Sequence, residues 1–260
     1  MHQKMIKVNR DNIMKKIPIV LTILSATAME VSFAGGPSGP QENLIQDSGS
    51  WEQVVVEGSL GAVEPSLAKA RVWLEGQSRT DNNFTNEYQG MARAALGYSV
   101  TDRATIWGGY TYLPTDNITA ATPHAKFKGQ QDAFSAFRYV LPTSFGTFTF
   151  RTLFEANFLP YNNNEVRYRP RQMIKFMHPM EFEPRLSLIG WDEAFLRANT
   201  TTTGGQSGFD QNRAFAGIGW TFNKNFRAEG GYLNQYLEGY NYNATAVMHH
   251  LVMASLFVNF

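Results

Sequence analysis

From Ser66 onward, apolar and polar residues alternate with a period of two, the pattern of strands whose two faces meet different surroundings. Over 67–79, Ala68, Ala70, Val72 and Leu74 share one face, and Lys69, Arg71, Glu75, Gln77 and Arg79 share the other. The same alternation predicts strands near 84–100, 104–113, 127–141, 145–158, 164–178, 183–196, 209–222, 226–237 and 246–260. Short connections at 101–103, 142–144, 179–183 and 223–225 alternate with mostly longer ones at 114–126, 161–164, 197–208 and 238–245, rich in Gly, Asn and Thr. After residue 34 no stretch approaches the roughly 20 apolar residues of a spanning helix.

One apolar and one polar face on each of about ten strands, joined by connections alternately short and long, leads to an all-β expectation: a transmembrane antiparallel up-and-down β-barrel. The short connections would be periplasmic turns and the longer ones extracellular loops. Ten is an even count with both ends on one side, as single-chain bacterial barrels require. Residues 51–60 form a further strand candidate that alone would make the count odd. That segment either finds an unrecognised partner, giving twelve strands, or lies inside or below the barrel; parity favours ten. Residues 35–50, rich in Gly, Pro, Ser, Gln and Asn, read as a flexible lead-in to a barrel domain at 51–260. Aromatic placement agrees with two interfacial belts. Tyr98, Tyr139, Phe148, Phe176, Trp220, Phe222, Phe226 and Phe260 fall near the short turns, and Tyr110, Tyr112, Phe154, Tyr168, Tyr232 and Tyr236 towards the loops.

The two ends of the chain bear on compartment. Residues 1–16 are a basic leader ending in Lys15 and Lys16, 17–29 are a short apolar run, and Ser32-Phe-Ala34 before Gly35 offers small residues for signal peptidase. A signal peptide over 1–34, cleaved after Ala34, is expected. At the other end Phe260, Val258, Leu256, Ala254 and Val252 share one strand face. This resembles the C-terminal signal read by the barrel assembly machinery of Gram-negative bacteria, and the resemblance implies a place in the bacterial outer membrane, against outer-membrane lipid. Removing the five basic and two acidic side chains of 1–34 from totals of 23 and 22 leaves 18 against 20, a net charge near −2. No basic bias remains to suggest nucleic acid. The absence of Cys excludes thiolate metal sites and Cys nucleophiles.

By strand parity the polar, inward face carries Arg151, Arg167, Arg169, Arg171, Arg185, Arg213 and Arg227 against Glu155, Glu193 and Glu229, together with Arg79, Arg93, Arg138, Glu75, Glu87 and Asp132. Two readings follow from this lumen charge cluster. Ion pairs could fill a narrow interior, since a barrel of about eight strands is plugged by its own side chains. Alternatively, an Arg excess could line a pore that attracts small anions. The first is preferred here, and both hold if a gap survives. Arg167, Arg169 and Arg171 form the densest group, with Glu155 and Glu193 expected as partners on the neighbouring strands.

Trp191-Asp-Glu-Ala-Phe195, Gly208-Phe-Asp-Gln-Asn-Arg-Ala-Phe-Ala-Gly-Ile-Gly219 and Gly231-Tyr-Leu-Asn-Gln-Tyr236, preceded by Trp73-Leu-Glu75 and Arg79, resemble the pattern of domain-of-unknown-function family 2490. The resemblance covers about 51–260 and implies a bacterial outer-membrane barrel without an established activity. Glu193 and Arg213 flank the 197–208 loop, where they could clamp its base. An enzyme needs a general base, and after residue 34 the chain offers His124, His178, His249 and His250. His249 would meet Glu75 across the closing seam, the basis of an alternative as a lipid or peptide hydrolase at the extracellular rim. No nucleophile motif accompanies it, so a non-enzymatic barrel is the expectation: a narrow or plugged channel, or a structural or interaction protein. No cofactor motif or metal-ligand spacing is present.

Overall fold

An open strand edge is a row of unpaired backbone N–H and C=O groups, so alternating segments are stable together only when every edge finds a partner. The computed structural model describes residues 44–115, 128–159, 165–202, 205–239 and 245–260. Among them eleven strands form one closed barrel. These are β1 (Ile45–Ser59), β2 (Ala70–Asp81), β3 (Asn86–Ser99), β4 (Ala104–Thr115), β5 (Lys128–Thr143), β6 (Gly146–Phe158), β7 (Val166–Met180), β8 (Glu183–Arg197), β9 (Gly208–Thr221), β10 (Phe226–Leu237) and β11 (Val247–Asn259). The ten strands expected from alternation are β2–β11, displaced at their ends by three residues or fewer. The leader and its cleavage point, most of the lead-in, and His124 lie outside the described residues.

The expected count of ten, or twelve, is corrected by β1. Successive strands are antiparallel, so the first and eleventh point the same way, and closing an odd ring requires one parallel pair. β1 provides it: Ile45 to Glu57 run parallel to Val247 to Asn259, and its other edge pairs antiparallel with β2, from Trp51–Arg79 to Ser59–Arg71. A parallel ladder is only slightly weaker per residue than an antiparallel one, a smaller loss than two open edges. The strand also takes in Ile45–Ser50, which composition assigns to the lead-in, because pairing outweighs local propensity at half-buried positions.

Asp47 on β1 fixes the neighbouring hairpin. Its carboxylate accepts the backbone N–H groups of Ser48 (2.8 Å), Asn82 (2.9 Å) and Asn83 (3.2 Å). In that β2–β3 turn Asn82, Asn83 and Phe84 all have positive φ, at 49°, 56° and 67°, a conformation Asn tolerates and Phe resists. The Asp47 contacts hold it in place. Elsewhere the short turns carry their own side-chain caps: Asn223 Oδ1 accepts from the N–H groups of Asn225 and Phe226, and Thr101 Oγ1 from those of Arg103 and Ala104.

The two faces of the wall differ. Trp51, Ile189, Phe215, Leu233, Leu251 and Met253 form one inward cluster, and Trp73, Trp107, Phe134 and Leu153 are in another. Trp73 meets both Trp107 (5.7 Å between centroids) and Phe134 (5.8 Å) edge-on. The outward positions are apolar yet exposed, among them Leu96, Phe154, Val252 and Ile218, which are 67%, 58%, 58% and 55% exposed. Glu87 is an exception to the parity expectation. A register shift between Arg79 and Thr80 swaps faces beyond it, and Glu87 accepts from Ser78 Oγ at 2.9 Å on the outside.

At the seam, β1 brackets the chain's last residue: Phe260 N donates to Glu57 O and Ser59 N to Phe260 O, each at 3.2 Å. A Cβ added at Gly58 would lie 2.5 Å from the Phe260 ring. Gly58→Val should therefore cost about 1–3 kcal/mol through overpacking, read as a lowered midpoint in urea unfolding. Gly76→Ala, where the added Cβ meets nothing within 4 Å, should instead be neutral or stabilising by up to about 1 kcal/mol.

Candidate functional site

Eleven strands enclose a wider interior than the eight that side chains just fill, and long Arg and aromatic side chains reach across it. Such a filling is stable only where buried charges are paired and hydrogen-bonded. Glu155 on β6 is 3% exposed and Glu193 on β8 is 2% exposed. Arg171, on β7 between them, ties the two together: its guanidinium donates to Glu155 and, at 2.9 Å, to both oxygens of Glu193. Arg169 adds a second pair to Glu155 at 2.7 Å, and Arg151 one to Glu193 at 3.0 Å. Across the lumen Arg93 pairs with Glu75 at 3.0 Å and comes within 4.0 Å of Glu155.

Smaller groups flank this centre. Near the short turns Glu57 holds Arg138 and Arg71, while Glu229 holds Lys175 (2.7 Å) and Arg227 (2.8 Å). Near the longer connections Asp210 receives Arg169 (3.3 Å) and Arg197 (3.6 Å), and Arg167 donates to Asn157 at 3.0 Å. Aromatic rings fill the spaces between guanidiniums: Phe195 lies 4.2 Å from Arg171 Cζ and 4.6 Å from Arg213 Cζ, and Trp73 lies 5.1 Å from Arg93 Cζ. Each desolvated cation–ring contact contributes up to about 2 kcal/mol. A cavity of about 310 Å³ remains, lined by nine cationic side chains against six carboxylates.

Eight of the ten residues singled out in the sequence as a lumen cluster fall into three groups. Arg151, Glu155, Arg169, Arg171 and Glu193 meet in the central network, Arg227 and Glu229 form a separate pair, and Arg167 lies with Asn157 at the loop end. Arg185 does not belong to the lumen. It lies within the register irregularity at Pro179/Met180, between the Pro179–Ser187 and Met180–Glu183 pairs; its side chain is 59% exposed and bound to Glu183, and its guanidinium sits 4.9 Å from the outward Trp220 ring. Arg213 does face inward, directly opposite Glu193 in register, but the expected clamp is not formed because Arg171 and Arg151 occupy the Glu193 oxygens. The 197–208 connection is anchored instead by Arg197, which also donates to Phe209 O at 2.6 Å.

His249 does not meet Glu75, because β1 is inserted between their strands. It lies 3.8 Å from Asp47, while His250 on the outer face contacts the Tyr232 hydroxyl at 2.5 Å. Among the described residues no group of three or more His, Asp or Glu is placed to hold a metal ion. Sequence reasoning missed Glu57 and Trp51 because their strand was set aside, and Arg197 because it was placed in the 197–208 connection. Alternation within 51–60 was the available signal for the first two.

A family described as protein of unknown function (DUF2490) matches residues 48–245. An uncharacterized protein of Methylorubrum extorquens is similar, at 27% identity over 193 residues, covering 74% of this chain and 79% of its own.

Removing one carboxylate from the central network leaves guanidiniums buried without compensation. Glu155→Gln and Glu193→Gln should each destabilise by about 3–5 kcal/mol in equilibrium unfolding. In double-mutant cycles, coupling of Glu193 to Arg171 should exceed its coupling to Arg213 by about 1 kcal/mol or more.

Proposed function

We propose, on the premise that the chain belongs to the DUF2490 family, that it is a bacterial outer-membrane β-barrel whose lumen is narrowed by ion pairs to a small, anion-attracting gap. The observation that carries this is the inside-out distribution of side chains: ionised residues are buried in the interior, and large apolar residues are exposed on the outer wall. In water such an outer wall would be a penalty of roughly 25 cal/mol for each Å² left uncovered, whereas hydrocarbon accepts it and rejects charge.

The aromatic positions support the same reading. On β10, Phe226 and Tyr236 lie ten residues apart, about 33 Å along a strand. A strand tilt of about 40° reduces that to about 25 Å, the height of an outer-membrane apolar band. In the lumen, the excess of cations over carboxylates around the cavity supports anion preference, and the side-chain bridges across it support low conductance.

The protein should fractionate with outer membranes and migrate differently on gels with and without heating. In planar bilayers it should show small conductance with chloride favoured over potassium. Recovery as a soluble periplasmic protein would overturn the membrane reading, and clear cation preference would overturn the lumen reading.

A further inference from the structure

Among the described residues of the lumen, two guanidiniums stand outside the pairing scheme. Among the described residues neither Arg79 nor Arg213 has a carboxylate within ion-pair distance, and both lie against the same ring: their Cζ atoms are 3.7 Å and 4.6 Å from the centroid of Trp51. Arg79 comes from β2, beside Trp51, and its partners are neutral: the amide oxygens of Gln77 and Gln89 and, at 4.0 Å, Met91 Sδ. Arg213 comes from β9 on the far side of β10 and β11. It is 9% exposed, its Nε has no hydrogen-bond partner, and it lines the cavity of about 310 Å³. The carboxylate opposite it, Glu193, is committed to Arg171 and Arg151.

Two buried cations on one ring repel each other, and the five fixed donors of a guanidinium call for acceptors. A planar fork is suited to bind carboxylate or phosphate oxygens bidentately. Apolar side chains complete the wall: Met253 is paired with Trp51, and Leu233 and Met91 also line the cavity. We propose that this part of the lumen is a binding site for an oxyanion group, a carboxylate or a phosphate, held between Arg79 and Arg213, with any apolar remainder of the ligand against Trp51, Leu233 and Met253. This deepens the lumen reading above, on which it rests, by naming the class of anion held.

The test uses the protein folded in detergent micelles, titrated with sodium phosphate or sodium acetate at an ionic strength held constant with sodium chloride. One or both anions should raise the thermal unfolding midpoint and change tryptophan emission saturably. Trp51→Phe should keep the first response and lose most of the second. Arg213→Met, close to Arg in length but uncharged, should weaken the apparent affinity by about tenfold or more while the protein stays folded. Arg79→Gln is the second variant should Arg213→Met not fold, with the same loss expected. A response to phosphate alone narrows the ligand to a phosphate group and a response to acetate alone to a carboxylate; both uphold the site. No saturable response to either anion, or a response undiminished in the folded variants, overturns it. Chloride-selective conductance without an oxyanion response would leave the pore reading standing and remove the site, whereas the response without conductance upholds the site in a barrel that passes no current.

Discussion

Charge pairing inside the barrel is the interaction on which the interior depends. Backbone ladders close the wall whatever side chains it carries, but they do not fill the space it encloses. Arg171 does part of this by joining Glu155 and Glu193, so that β6, β7 and β8 are tied through the lumen as well as along their edges. Arg93 and Glu75 extend the network to the opposite wall. Buried pairs of this kind add little net stability over an apolar filling of the same shape, yet losing one partner is costly. The network therefore specifies which side chains face each other more than it raises the total stability. Trp51, Trp73 and Phe195 serve it by occupying the gaps between guanidiniums, where a small aliphatic residue would leave a void and an extra charge would lack a partner.

The second constraint is ring closure. With ten antiparallel strands, β2 and β11 would meet directly, and Glu75 would face the His249 side of the seam. Inserting β1 widens the ring and brings Trp51 and Glu57 into the lumen. It also places Asp47 beside His249 and under the β2–β3 turn. The paired segments on its parallel edge, Ile45 to Glu57 and Val247 to Asn259, are of equal length and in unbroken register. The odd strand is thus integral to the wall, and it carries the chain in at the end with the longer connections and out at the end with the short turns.

Charge is distributed unevenly within this frame. Glu57 and Glu229 each hold two cations near the short turns, Glu155 and Glu193 hold the centre, and Arg79 and Arg213 share a tryptophan without a carboxylate. A near-neutral chain has in this way produced an electropositive cavity, because the fold sorts the surplus cations inward. Net charge summed over the sequence conceals that sorting.

Alternation of residue type was enough to locate β2–β11 and to assign most inward residues, since a period of two is a local property of strand geometry. It also brought Arg171 together with Glu155 and Glu193, because hairpin connectivity makes sequence neighbours into strand neighbours. Three features were decided only by the tertiary structure. Glu87 left the lumen because the register shift at Arg79/Thr80 reverses the face beyond it, and Arg185 because it falls within the irregular stretch at Pro179/Met180; nothing in the residue pattern marks where such an irregularity falls. The eleventh strand and its parallel pairing depend on an edge supplied by β11, about two hundred residues away in sequence. The Glu193–Arg213 clamp was displaced because Arg171 and Arg151 reach the same carboxylate from other strands. Competition for one pair of oxygens is settled by side-chain reach in three dimensions, whereas parity along a strand fixes only which side each residue faces.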